Sequence, residues 1–285
     1  MHLYERLDMA GGVARRSQVA RSAAERRELA AALAEGAVRA LGGGWLAATD
    51  ADPALVMAHR LNATVSCVSA ALIYGLATLG HPERPHLAVP RSRGIRRRPS
   101  RPRTSVVLHR ESWWATPTDP VRRVAPIDEA LGRVLRCAPP AAAVVMVDSA
   151  LNKNLVTLDE LYPRLTGPGS VRALHALRLC DGRSRSAIET IARLVLRRAG
   201  MTVITGVVIQ GVGEVDMLVE RHVVVECDGF AYHSGRREFR EDRRRDRELV
   251  ARGFVVLRFT WEDVVGDPEL LHRDVLRALA RRREH

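Results

Sequence analysis

The sequence predicts an α/β protein: a small helical N-terminal part, a mostly helical middle, and a C-terminal sheet unit with the order α-β-β-β-α-β-α. Three observations predict that unit. Two β-rich runs, 213–219 and 223–229, flank the polar gap Glu220-Arg221-His222, the pattern of a hairpin. Ahead of them, residues 184–199 place Ile188, Ile191, Ala192, Val195 and Leu196 at helical spacing and stop at Gly200. Beyond them, a charged helical stretch over 240–252 ends at Gly253, and the apolar run 254–259 follows as a strand.

In chain order, residues 1–48 form a first domain. Leu3, Leu7 and Met9 mark a helix that Gly11-Gly12 ends, residues 17–20 a short second one. A third starts at Ser22, whose spacing to Glu25 is that of a capping box. It runs to about Ala34 with Leu29, Ala30 and Leu33 on one face. Residues 38–41 and 45–47 around Gly42-Gly43-Gly44 read as a hairpin. Three helices and a hairpin describe a winged helix-turn-helix. Arg16, Ser17, Gln18, Arg21, Arg26, Arg27 and Arg39 are then the DNA-contacting candidates. A three-helix cap with solvated arginines fits the same pattern.

Residues 49–180 form a second, mixed and mostly helical connector. Helices are expected over 53–80, 125–137, 141–151 and 158–165, and strands over 86–89 and 105–109. Between those strands the loop 91–103 carries Arg96, Arg97 and Arg98, suited to phosphates; a solvated loop is the alternative. Asp148 reads as a satisfied structural residue. The third domain spans 181–285, where Ser186 and Glu189 form a capping box. Its last helix is expected over 268–280.

The 285 residues carry a formal net charge of +12, which points to a polyanionic partner. Lys153 is the only lysine, so the excess is arginine, whose fork suits phosphate. Of the four cysteines none forms a C-x-x-C pair, and no histidine cluster lies at zinc spacing. Neither a disulfide framework nor a structural zinc site is therefore expected. No apolar run is long enough to span a membrane and the start is unlike a signal peptide, so the expectation is a cytoplasmic protein.

The chemistry concentrates in the hairpin. With 220–222 as the loop, Val219 faces Val223, Asp216 faces Glu226, and Glu214 faces Asp228. Alternate strand residues share a face, so four carboxylates would lie on one side. Like charges directly opposed are destabilising. A cation, a proton or a substrate would compensate, a divalent metal first among them, and a solvent-exposed acidic face is the plainer reading.

Residues 184–279 resemble the endonuclease-like domains related to the very-short-patch mismatch-repair endonucleases, within the PD-(D/E)XK nuclease superfamily. The stretches that carry the resemblance are Ser186-x-x-Glu189, Glu214-Val215-Asp216, Val225-Glu226-Cys227-Asp228-Gly229, Tyr232-His233, Asp242-Arg243-x-Arg245-Asp246 and Gly253 to Thr260. The N-terminus more weakly resembles the winged-helix region of AbiEi-type antitoxins, through Gly11-Gly12-Val13-Ala14, Ser17-Gln18 and Trp45-Leu46. The first resemblance implies a restriction-endonuclease-like core. Glu189 would be the helix acid, Asp216 the metal-binding aspartate and Glu226 the acid of the E-x-K motif. Asp228 stands where the motif has lysine, which leaves water activation to His233 or to the metal. Mg²⁺ or Mn²⁺ takes oxygen ligands, here Asp216, Glu226 and the Cys227 carbonyl. Arg236, Arg237 and Arg240 lie beside His233 and would touch phosphates.

The leading expectation is thus a metal-dependent DNA endonuclease with an N-terminal DNA-binding domain. The alternative is a non-enzymatic, antitoxin-like regulator whose nuclease fold serves as a binding or homodimer platform.

Overall fold

The computed structural model describes residues 1–92, 105–112, 123–228 and 236–283. Arg96, Arg97, Arg98 and His233 lie outside the described residues, as do the side chains of Arg236, Arg237 and Arg240. The chain divides into two compact units, Met1–Gly75 with Gly80–Cys137, and Leu76–Leu79 with Ala138–His285. Residues 49–180 contribute to both.

The first unit opens with α1 (Leu3–Met9), β1 (Val13–Arg15), α2 (Arg16–Val19) and α3 (Ala23–Ala34), followed by β2 (Val38–Gly42) and β3 (Trp45–Ala48). The expected box is formed: Ser22 Oγ accepts the Glu25 N–H at 3.1 Å, and Glu25 accepts the Ser22 N–H at 2.9 Å. Leu29 and Leu33 of α3 face the core as expected, with Ala32 in place of Ala30, which is exposed. An additional strand, β1, pairs with β3, so the sheet has three antiparallel strands in the order β1-β3-β2. The β2–β3 turn takes left-handed φ at Gly42, Gly43 and Gly44, which suits glycine. Buried Arg6 joins the helices, donating to the Val19 carbonyl at 3.0 Å and to Glu28 at 2.8 Å.

The same unit continues with α4 (Pro53–Leu61), β4 (Thr64–Val65), α5 (Cys67–Ile73), β5 (His86–Pro90), β6 (Val107–Glu111) and α6 (Ile127–Cys137). Asp52 caps α4 by accepting the Ala54 N–H at 2.7 Å, and Asn62 ends it at φ 47°. β4 pairs antiparallel with β5, and β5 parallel with β6. Buried Glu111 and Arg133 make a two-pronged ion pair of 2.5 and 2.6 Å.

In the second unit, α7 (Pro140–Asn152), α8 (Leu158–Leu161) and α9 (Ser170–Arg178) lead to α10 (Ala187–Arg198). Then come β7 (Val203–Ile209), β8 (Gly213–Val219), β9 (Val223–Cys227), α11 (Arg236–Ala251), β10 (Val255–Phe259) and α12 (Pro268–Arg283). This is the expected α-β-β-β-α-β-α order, with one π-helical turn, Glu262–Gly266, added before α12. The sheet order is β10-β9-β8-β7. β7, β8 and β9 are antiparallel neighbours, while β10 joins β9 in parallel after the α11 crossover. One face of the sheet (Met217, Val219, Val223, Val225, Phe259) packs with Ile188, Ala192 and Leu196 of α10 and Leu271 and Val275 of α12. The other packs Val215 and Val224 with Leu249 of α11.

Asp148 is satisfied, as expected of a structural residue, through a buried polar network. Its Oδ2 accepts from the fully buried Arg193 at 2.5 Å and from Thr190 at 2.8 Å, and its Oδ1 accepts the Asp181 N–H at 2.7 Å. Next to it, Asp181 accepts from Arg183 at 2.8 and 2.9 Å and from Arg197 and Thr205 at 3.3 Å. Burial alone would raise the Asp181 carboxyl, but the Arg183 hydrogen bonds outweigh it and hold the pKa down to about 2. A depressed carboxylate stabilises the fold above its unfolded pKa of about 4, and this is lost as pH falls through about 2. Asp181→Asn should therefore lower the melting temperature at neutral pH, by an amount equivalent to about 1–3 kcal/mol. The gap from the parent should close between pH 4 and pH 2 in a series of melting curves. A gap independent of pH would assign the loss to shape rather than charge.

No helix among the described residues is long and apolar enough to cross a membrane.

Candidate functional site

The hairpin forms with the expected register at its turn. Met217 pairs with Val225, Leu218 with Val224, and Val219 with Val223. Glu220 and Arg221 adopt left-handed φ of 47° and 61° at the turn. The strained Glu220 is anchored through its carboxylate, which accepts the Thr202 N–H at 2.7 Å.

Towards the acids the regular pattern breaks. The β8–β9 pairs stop at Met217, and between β7 and β8 the pairs skip Gly206 and Asp216. Val215 lies in the α11-side core and Met217 in the α10-side core, although only one residue separates them. Strict alternation therefore fails at Asp216, opposite Gly206 at φ 61°. A Cβ on Gly206 would meet Glu214 Oε1 at 3.2 Å and Arg183 Cβ at 3.3 Å. Glycine thus relieves both the backbone and the space at this point.

The consequence is that the four carboxylates do not line one face, as simple alternation predicts. Glu214 and Asp216 share the Arg185 guanidinium, at 3.5 and 3.0 Å. Asp216 is nearly buried, and its Oδ2 reaches across to accept the Cys227 N–H at 2.8 Å, where a regular ladder would have supplied a backbone carbonyl. Glu226 meets the Asp216 carboxyl, as the facing pair predicts, and also Arg245 of α11 at 3.5 Å, while Arg245 donates to the Glu214 carbonyl at 2.6 Å. Asp228 is exposed, its N–H given to the Phe259 carbonyl at 3.0 Å.

Glu189 lies in the first turn of α10 and is buried. Its carboxylate accepts from Ser186 Oγ at 2.8 Å and from the Arg185 N–H at 2.9 Å. The capping geometry therefore aims the helix acid at the same Arg185 that faces Asp216. Burial, reinforced by Asp216, raises the Glu189 carboxyl. Burial also raises Glu226, to about 7, with Asp216 again adding to the effect. The Cys227 thiol is pushed up by burial and by Asp216, so it stays a neutral thiol beside the acids. Glu189 and Glu226 thus both meet the Asp216 charge, which resists their ionisation.

Two residues of this site escape the sequence reading. Arg185 carries no motif of its own, since it only precedes the Ser186 cap. Arg245 stands beside Asp246 in the sequence, and Asp246 pairs with Arg258 at 2.5 and 3.0 Å. Arg245 is thereby left to the acids.

At the N-terminus, Arg16, Ser17 and Gln18 are exposed on α2, and Arg21, Arg26, Arg27 and Arg39 are exposed near it in sequence or in the adjoining strand. Arg16, Ser17 and Arg26 line one shallow surface hollow with Arg15 and Gly44. Gln18 has a local role, accepting the Arg15 N–H at 2.7 Å to cap α2. Arg15 stacks on the Trp45 ring at 4.7 Å.

In the first unit the fold assembles a group of possible metal ligands that no C-x-x-C pair or histidine spacing signals. Cys67, His86, His109 and Cys137 place one ligand atom each within 4.8 Å of all the others. Spacing rules exclude only motifs whose ligands are close in sequence.

No curated protein matches the chain. Residues 189–279 match the family model REase_MTES_1575. That span begins at Glu189, takes in Asp216 and Glu226, and ends in α12, so the second unit carries a restriction-endonuclease-like domain.

Proposed function

We propose that the protein is a metal-dependent DNA endonuclease, directed to duplex DNA by its N-terminal winged-helix region. The observation that carries this reading is the meeting of Glu189, Asp216 and Glu226 with raised carboxyl pKa at Glu189 and Glu226, inside a restriction-endonuclease-like domain. Carboxylates that resist ionising together are suited to a hard divalent cation, and the donors here are oxygens. Asp216, Glu226 and the Cys227 carbonyl would hold Mg²⁺ or Mn²⁺. Bound there, the ion supplies charge neutralisation at the scissile phosphate and lowers the pKa of a water. Arg185 and Arg245 keep the acids in place, and Arg185, half-exposed, is also free to meet a phosphate oxygen. His233, by the resemblance, would move a proton at the attacking water. Arg236, Arg237 and Arg240 would follow the backbone of the same strand.

The decisive measurement is incubation of supercoiled plasmid with the purified chain in Mg²⁺ or Mn²⁺ and in EDTA. Nicking or linearisation that needs the metal is the expected result. One observation favours a second reading, a non-enzymatic DNA-binding regulator: Asp228 stands in place of the motif lysine. Tight duplex binding with no cleavage in either metal would establish that reading instead.

For the N-terminal surface, Arg16→Ala and Arg26→Ala should each weaken duplex binding and flatten the slope of log K against log salt by about 1. A slope unchanged in the double variant would remove these residues from the interface.

A further inference from the structure

We propose that the first unit holds a structural zinc ion between Cys67, His86, His109 and Cys137. The fold brings these four residues together from separate elements. Cys67 opens α5, His86 opens β5, His109 lies in β6 and Cys137 closes α6. Parallel pairing of β5 with β6 sets Ala88 opposite His109, so His86 and His109 share a sheet face two residues apart in register. His86 Nδ1 and His109 Nε2 are 3.1 Å apart. Two imidazoles and two thiols are the donor set of a tetrahedral zinc site. With zinc–nitrogen and zinc–sulfur bonds of usual length, tetrahedral donors stand about 3.3–3.8 Å apart. The 4.8 Å limit on all four ligand atoms leaves little movement before they meet that geometry.

The surroundings suit the ion. Cys67 is fully buried and takes φ 54°, a conformation that a non-glycine residue keeps where its neighbours over-determine it. Ser69 Oγ fixes the first residue of β5 by accepting the His86 N–H at 2.9 Å. Binding would form two zinc–sulfur and two zinc–nitrogen bonds and release the two thiol protons to solvent. Four protein ligands leave no open position, which makes the site a staple rather than a catalytic centre. It would tie the first turn of α5 and the last turn of α6 to both parallel strands.

The test is metal content, and it is independent of cleavage. Full-length protein, purified with reductant and desalted, should carry about one zinc ion per chain by elemental analysis. Cobalt exchanged for zinc should give the intense d–d bands of a tetrahedral site with thiolate-to-cobalt charge transfer. His86→Ala and the exposed Cys137→Ser should each lose the bound metal, and Asp216→Asn with Glu226→Gln should keep it. Chelation should lower the melting temperature of the parent and leave Cys137→Ser unmoved. The proposal is overturned if reduced protein offered zinc alone takes up none. It is equally overturned if uptake survives His86→Ala together with Cys137→Ser. A Cys67–Cys137 disulfide, found in protein whose thiols are trapped at lysis, would replace the zinc site.

Discussion

Asp216→Asn is expected to reduce metal-dependent cleavage by about 10²–10³-fold or more, on the scale of removing one group that stabilises transition-state charge. The structure makes this substitution a clean probe. Asparagine keeps an oxygen for the Cys227 N–H, the bond that closes the frayed end of the hairpin. It gives up the Arg185 ion pair, which is half-exposed and so contributes little to stability. It also removes the charge that raises Glu189 and Glu226. The metal-free variant should therefore melt within a few degrees of the parent while its activity collapses. Glu226→Gln should behave alike, because its contact with Arg245 is long. Mg²⁺ or Mn²⁺ should raise the parent's melting temperature by mass action and the variants' much less. Cleavage at the parental rate in the Asp216/Glu226 double variant would remove these acids from the chemistry. A clear drop in metal-free stability with equal response to metal would make Asp216 a structural residue.

The largest stability effect is expected at Arg193 and Asp148. Arg193 is completely buried and gives its guanidinium to Asp148, to the Leu179 carbonyl at 2.5 Å and to Ser184 at 3.3 Å. Replacing Asp148 with alanine leaves that cation without its counter-charge, and replacing Arg193 with methionine leaves the buried carboxylate with only its Thr190 and Asp181 N–H hydrogen bonds. Each single change should cost about 3–5 kcal/mol, because removing one partner exposes the desolvation penalty of the other. The double variant should cost clearly less than the sum, since neither charge remains. Urea unfolding of the four proteins gives the coupling directly. Additive losses would mean that the two side chains act separately and that the close contact contributes no net coupling.

Much of the second unit is legible in the sequence because its signals are local. Ser186 with Glu189, Gly200 and Gly253 each specify a helix end through the conformation or hydrogen bond of one residue. Valine-rich runs around a short polar gap give the hairpin and its register at the turn. The site is less legible for a physical reason. Alternation is an average property of strands, and one left-handed residue on a neighbouring strand, Gly206, is enough to redirect Asp216. Arg185 and Arg245 sit in a chain so rich in arginine that composition hides them. β1 is three residues long and forms because β3 is there to pair with it, so no local pattern announces it. The Cys67–Cys137 grouping is the extreme case, since its members are far apart in sequence and only the packing of α5, β5, β6 and α6 collects them.

The left-handed Gly206 also bears on the exposed edge of the sheet. β7 is an edge of the four-stranded sheet, and Val208 projects from it almost fully exposed. A straight apolar edge is a template on which another chain can add a strand, the first step of aggregation. At Gly206 the backbone of β7 turns through a conformation that an incoming flat strand does not share, leaving three residues on either side. Neither half is long enough for a stable intermolecular ladder. The irregularity that redirects Asp216 thus also interrupts the one edge of this sheet on which β7 could accept a further strand.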